Sequence, residues 1–74
     1  MDIVLEVTSK LPGNKGSYRL AVPAGIAAGE LIERLQITGD REEILIVYNG
    51  KAVYGDDCLQ EEGTVVLLPM LCGG

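Results

Sequence analysis

The sequence predicts an α+β fold: a mixed sheet of four to five strands with one main helix packed across one face. Three observations predict it. Two alternating apolar segments near the start flank a stretch rich in turn residues. One amphipathic helical stripe follows them. The chain then returns to strand-like sequence and closes on the apolar run Val65-Val66-Leu67-Leu68. A hairpin, a crossover helix and further strands suit a sheet with its helix on one side. A right-handed crossover places the last strand beside the first and parallel to it.

Each element has its own signal. Ile3, Leu5 and Val7 alternate with Val4, Glu6 and Thr8, a period of two with one strongly apolar face. Pro12-Gly13-Asn14-Lys15-Gly16 is dense turn chemistry, and Tyr18, Leu20 and Val22 then alternate with Arg19 and Ala21. The pair reads as a hairpin that Pro23 ends. Ala27, Leu31 and Leu35, with Ala28 and Ile32 beside them, form one apolar stripe, which predicts a helix from Ala27 to Gln36. Its start lacks Ser, Thr, Asp or Asn, which typically costs about 1 kcal/mol. Gly29 inside it costs a similar amount relative to Ala. Thr38-Gly39-Asp40 closes the helical region. Ile44 to Tyr48 is almost wholly apolar and reads as a central strand, and Asn49-Gly50 is a strong hairpin signal leading to a short edge strand, Lys51-Ala52-Val53. Residues 55–63 read as a polar loop with Leu59 as a plug into the core and Cys58 as a small buried hydrophobe. The expected core is Ile3, Leu5, Val7, Tyr18, Leu20, Val22, Leu31, Ile32, Leu35, Ile46, Tyr48, Leu59, Val65 and Leu67.

Composition narrows the function. With 74 residues the chain is one domain, and at this size only about 60% of the unfolded surface is buried. A net charge of −5 argues against nucleic acid, whose phosphates need clustered Lys and Arg, and suits a basic protein partner. No apolar run approaches the roughly 20 residues of a membrane helix. Met1-Asp2 leads straight into a strand without a signal-peptide pattern, so the expected location is the cytoplasm. Two cysteines, Cys58 and Cys72, make no disulfide framework. There is no histidine, hence neither the commonest general base nor the commonest metal ligand, and a self-contained enzyme or a metal site is not expected.

The candidate functional group is at the end of the written chain. Pro69 has no N–H to donate, so regular strand pairing should stop there. The expected division is a domain over residues 1–69 and a flexible tail over residues 70–74. That tail, Met70-Leu71-Cys72-Gly73-Gly74, ends in two residues without side chains. Glycines pass through narrow channels in backbone shapes closed to other residues. The Gly74 carboxylate, presented by Gly73, is therefore the expected reacting group. A carboxylate is a poor electrophile until it carries a leaving group, so its use requires activation by ATP on a partner enzyme.

The element order, the run Val47-Tyr48-Asn49-Gly50-Lys51-Ala52-Val53, Asp56-Asp57-Cys58-Leu59, Glu61-Glu62-Gly63-Thr64-Val65, Leu67-Leu68-Pro69 and the final Gly73-Gly74 together resemble the MoaD/ThiS sulfur-carrier family, whose members are ubiquitin-like β-grasp proteins. The resemblance covers essentially the whole chain. It implies that an adenylyltransferase of the MoeB/ThiF type joins AMP to the Gly74 carboxylate. A sulfur donor then converts the acyl-adenylate to a thiocarboxylate. A sulfur-accepting synthase, resembling the molybdopterin synthase large subunit or thiazole synthase, takes the sulfur for molybdopterin, tungstopterin or thiamine-type cofactor biosynthesis. The carrier itself binds no cofactor. Three positions depart from the family pattern: Cys72 before the glycines, Ala27 at the helix start, and Met70 in place of a second proline. The long first hairpin resembles the molybdopterin-type carriers and the brief link from helix to third strand the thiamine-type ones, so the pathway stays open.

Strand alternation puts Val66, Leu68 and Met70 on the sheet face opposite the helix, with Val47 and Val4 as further members. With Leu71 and Cys72 of the tail, Val47, Val66, Leu68 and Met70 are the candidate partner-binding residues. Glu42-Glu43, Asp56-Asp57 and Glu61-Glu62 read as solvated loop charges. Two other readings share this sequence. One is a ubiquitin-like modifier joined to lysines. The other is a β-grasp interaction domain with an inert terminus.

Overall fold

A computed structural model of the chain describes residues 1–37 and 44–69. The first hairpin pairs β1 (Asp2–Ser9) antiparallel with β2 (Gly16–Pro23), in a register that sets Leu5 opposite Leu20 and Val7 opposite Tyr18. The strands are longer than the apolar alternation alone predicts. At the tip, the Asn14 N–H donates to the Leu11 carbonyl (3.0 Å), with Pro12 second and Gly13 third at φ +81°. That is a type II turn, in which proline presets the second position and the third requires positive φ. The turn folds Leu11 back until it is buried, beside the buried Ser9.

After Pro23 the chain makes a two-residue strand, β3 (Ile26–Ala27), and then α1 (Ala28–Arg34). The helix is shorter than expected at both ends, for two separate reasons. Ala27 pairs with Cys58 and so belongs to a strand. Gln36 lies at φ +58°, in the left-handed region, which stops the helix. The Gln36 N–H donates to the Glu33 carbonyl (3.0 Å) and the Ile37 N–H to the Ile32 carbonyl (3.5 Å). This is the Schellman arrangement, normally built on glycine, with glutamine in the left-handed position. At the other end no side chain caps the helix. Instead the Ala28 N–H donates to the Asp57 carbonyl (2.9 Å) and the Gly29 N–H to the Gly55 carbonyl (2.8 Å). The missing cap residue is thus replaced by the backbone of the neighbouring loop, and Gly29 sits in the first turn against that loop, not in the helix interior.

Then come β4 (Ile44–Tyr48), β5 (Lys51–Val53), β6 (Cys58–Leu59) and β7 (Gly63–Pro69). The main sheet has five strands in the order β2-β1-β7-β4-β5, while β3 and β6 form a separate two-stranded ladder. β7 runs parallel to β1 and antiparallel to β4, as the crossover predicts. β6 is a correction to the expected loop. Leu59 takes the inward position of this two-residue strand, which turns Cys58 outward. Cys58 is an exposed free thiol, not a buried hydrophobe.

The core lies between the helix and the inner sheet face: Ile3, Leu5, Val7, Val22, Leu31, Ile32, Ile46, Leu59, Val65 and Leu67, with Leu11, Ile26 and Ala28 added. Tyr18, Leu20, Leu35 and Tyr48, expected in the core, pack against it half-buried. Among the described residues no helix is long and apolar enough to cross a membrane. Thr38-Gly39-Asp40 and Glu42-Glu43 lie outside the described residues.

Two substitutions test this arrangement. Leu67 is fully buried, so Leu67→Ala should lower unfolding free energy by about 2–5 kcal/mol, read from denaturant midpoints. Gln36→Gly should raise it by about 0.5–1 kcal/mol, because glycine adopts the left-handed position without a Cβ penalty but loses more chain entropy.

Candidate functional site: the outer sheet face and the end of the central strand

The outer face follows from register. Inner residues Ile46 and Tyr48 oppose Leu67 and Val65, so the alternate pairs, Leu45–Leu68 and Val47–Val66, face away from the helix. Ala52 continues the row on β5, opposite Val47. Leu45, Val47, Val66 and Leu68 are each half-buried by the others, and together they make one apolar patch over β4 and β7. The structure therefore brings together Val47, Val66 and Leu68, the described members of the expected partner-binding set. It also adds Leu45 and Ala52, which the sequence reading passed over. Leu45 was visible in the alternation with Val47.

Val4 lies on the same face but apart from the patch. Glu6 stands two residues further along β1, paired with Thr64 on β7 and Arg19 on β2, and Thr8 is the β1 residue beside Val66. The polar row Arg19–Glu6–Thr64 thus separates Val4 from Val66. Val4, Glu6, Arg19, Glu62, Gly63 and Thr64 line a shallow open groove at that end of the sheet.

The end of the sheet where β7 begins is tied by side chains. The Tyr48 hydroxyl donates to the Glu61 carbonyl and accepts from the Glu61 N–H, the latter at 3.0 Å. Asn49 Oδ1 accepts the Thr64 N–H (3.0 Å). A Glu62 carboxylate oxygen accepts the Val4 N–H (3.0 Å), standing in for a strand carbonyl where the β1–β7 pairing has not yet begun. Gly63 leaves room for the Asn49 side chain: a Cβ there would lie 1.8 Å from Asn49 Oδ1, so the carboxamide would have to move. At the opposite end the Lys10 N–H donates to the Leu67 carbonyl (2.9 Å), and Ile44 pairs with Pro69. β7 is thereby held by β1 as far as Leu67 and by β4 as far as Pro69. Met70, Leu71, Cys72, Gly73 and Gly74, the remaining candidate residues, lie outside the described residues.

The architecture of a mixed sheet wrapped on one helix, with the last strand in the middle and parallel to the first, is the ubiquitin-like β-grasp. Solved structures bear this out. A Pyrococcus furiosus protein proposed as subunit 1 of a molybdopterin converting factor matches at TM-score 0.70 and 19% identity, covering 93% of this chain and 99% of that one. SAMP1 from Haloferax volcanii matches at TM-score 0.71 and 17% identity, covering 96% and 99%. The ubiquitin of Caldiarchaeum subterraneum matches at TM-score 0.66 and 14% identity, over 100% of both chains. At these identities the likeness is one of fold. No family model matches the chain, and neither does any curated protein sequence.

Adjacent leucines on β7 separate the two faces. Leu68→Asp should leave the protein folded at a cost of about 1–2 kcal/mol, since its side chain is only half-buried. Leu67→Asp should abolish folding, because it would bury an unpaired carboxylate. Circular dichroism melts of the two variants decide it; comparable melts would mean the register is shifted by one.

Proposed function

We propose that this chain is a sulfur carrier of the MoaD/ThiS kind, acting as a substrate of partner enzymes. The observation that carries the reading is the mounting of β7. The central strand of the sheet, held by β1 as far as Leu67 and by β4 as far as Pro69, leads in sequence into Met70-Leu71-Cys72-Gly73-Gly74. A pair of glycines that follows a strand paired on both sides is a slender end on a firm mount. The β-grasp fold, shared with a protein proposed as a molybdopterin converting factor subunit, supports the same reading.

The steps follow from the carboxylate. A Gly74 oxygen attacks the α-phosphorus of ATP on a MoeB/ThiF-type adenylyltransferase, and pyrophosphate leaves. A sulfur donor displaces AMP and leaves a thiocarboxylate, which a synthase then consumes. Gly73 and Gly74 supply reach, and the partners supply the catalytic side chains. Leu45, Val47, Val66 and Leu68 give the partner an apolar contact on the outer sheet face, and Met70, Leu71 and Cys72 are the further partner-binding residues of this reading. In this reading the carrier works in the cytoplasm, alongside its ATP-using partner.

A second reading shares the terminus. The likeness in fold to an archaeal ubiquitin supports a modifier whose activated Gly74 is joined to lysine. Mass spectrometry of the protein from its own cells discriminates between the two. A carrier ends at Gly74 and shows a gain of about 16 Da that fragmentation places on that residue, as oxygen is replaced by sulfur. A modifier appears as adducts on other proteins.

Position of the carboxylate is the sharper test. Appending one alanine moves it by about 3.3–3.6 Å of extended chain, while adenylation needs the reacting oxygen about 3–3.5 Å from phosphorus. The extended protein should fold normally and fail to form AMP–carrier with ATP and its activating enzyme. Deleting Gly74 should fail by falling short. Normal activation of both would remove the carboxylate from the mechanism.

A further inference from the structure

Asn49-Gly50 carries a chemistry that the carrier reading does not use. Asparagine followed by glycine is the sequence most open to deamidation, because no Cβ on the following residue hinders ring closure. Asparagine is a recognised thermolabile residue for this reason. The Gly50 backbone nitrogen attacks Asn49 Cγ, a C–N bond forms, and the Cγ–Nδ2 bond breaks. Ammonia leaves with the proton from the Gly50 nitrogen. Water then opens the cyclic imide at either carbonyl, giving aspartate or isoaspartate. The net exchange is one water taken up for one ammonia lost, and no oxidant is involved.

Both residues are exposed, so water has access. The local geometry nevertheless opposes the first step. Asn49 and Gly50 lie at φ +49° and +84°, the pattern of a type I′ turn. The carboxamide is turned onto β7, where its Oδ1 accepts the Thr64 N–H (3.0 Å) while the Asn49 N–H donates to the Thr64 carbonyl (2.9 Å). Asn49 Cγ lies 2.5 Å from where a Cβ of Gly63 would be. The hydrogen bond polarises the side-chain carbonyl, but it also fixes that carbonyl over Gly63. Cyclisation must break the bond and rotate the turn.

We propose that Asn49-Gly50 is a latent deamidation site that the fold holds closed through Thr64 and the bare backbone of Gly63, so that ammonia loss at Asn49 records opening of the β4–β5 turn. The site is at the far end of β7 from Pro69, and the inference is independent of any role for Gly74. Isoaspartate would insert a methylene into a two-residue turn and release the start of β7. Aspartate would add a negative charge beside Glu61 and Glu62.

Peptide mapping by mass spectrometry tests this with the intact protein in mildly alkaline buffer made with heavy-oxygen water. Deamidation appears as a gain of about 1 Da, plus the heavy-oxygen label, on the Asn49 peptide. Asn14, followed by lysine, is the internal reference. In urea, Asn49 should deamidate much faster than Asn14. In the folded protein it should be at least about tenfold slower than in urea, because reaction then waits on local opening. Gly63→Ala, which drives a Cβ into the carboxamide, should speed the reaction at Asn49 under folding conditions while circular dichroism shows a retained fold. If that variant unfolds, the native-against-urea comparison of the unaltered protein decides alone. Equal rates in buffer and urea would overturn the proposal, as would an Asn49 no faster than Asn14 in urea.

Discussion

Everything described in this fold depends on the insertion of β7 between β1 and β4. Val65 and Leu67 are fully buried on its inner side, against a helix of only seven residues. A chain of this size has little apolar area to spare, so a strand that joins both halves of the sheet and buries two core residues weighs heavily on stability. Parallel pairing with β1 requires the intervening chain to cross over the sheet, and α1 is that crossing. Antiparallel pairing with β4 then follows from the return of the chain. Without β7 the first hairpin and the β4–β5 hairpin have no common neighbour, and a lone two-stranded hairpin is marginal in water.

The helix shows how a small domain compensates for weak local sequence. Ala27 offers no cap, and Gln36 occupies a position that suits glycine. Neither end would hold in isolation, where helices this short are unstable. The Asp57 and Gly55 carbonyls answer the first N–H groups, and Leu31 and Ile32 lock the helix onto the sheet. Local propensity is therefore overruled by tertiary contacts, and the loop after β5 becomes part of the helix's support.

The same point explains what could be read from the sequence. β1, β4, β5 and the inward set Leu5, Val7, Ile46, Val65 and Leu67 were legible, because period-two alternation is a local signal. Parallel placement of the first and last strands followed from handedness alone. The β3–β6 ladder was not legible, since two residues on each side carry no period, and Ile26 and the outward turn of Cys58 were missed with it. Leu11 was hidden by its position in a turn sequence, where apolar residues are usually exposed. Of the candidate site, the outer pairing of Val47 with Val66 was readable from alternation. Leu45 was readable from the same alternation and was passed over, while the separation of the patch from Val4 needed the register. The ties made by Tyr48, Asn49 and Glu62 join residues 13 to 58 positions apart and leave no local trace.

Central placement of β7 also has a mechanical meaning. β1 and β7 point the same way, so β7 leaves the sheet at the end opposite the start of β1. A force drawing the chain outward beyond Pro69, with the molecule held by its first residues, acts along the strands. The hydrogen bonds of both flanking ladders lie across that direction and are loaded together in shear. An edge strand pulled sideways would instead peel open one bond at a time. Traction on the segment after Pro69 is therefore borne by the whole ladder at once, and the sheet resists being unravelled by whatever grips that segment.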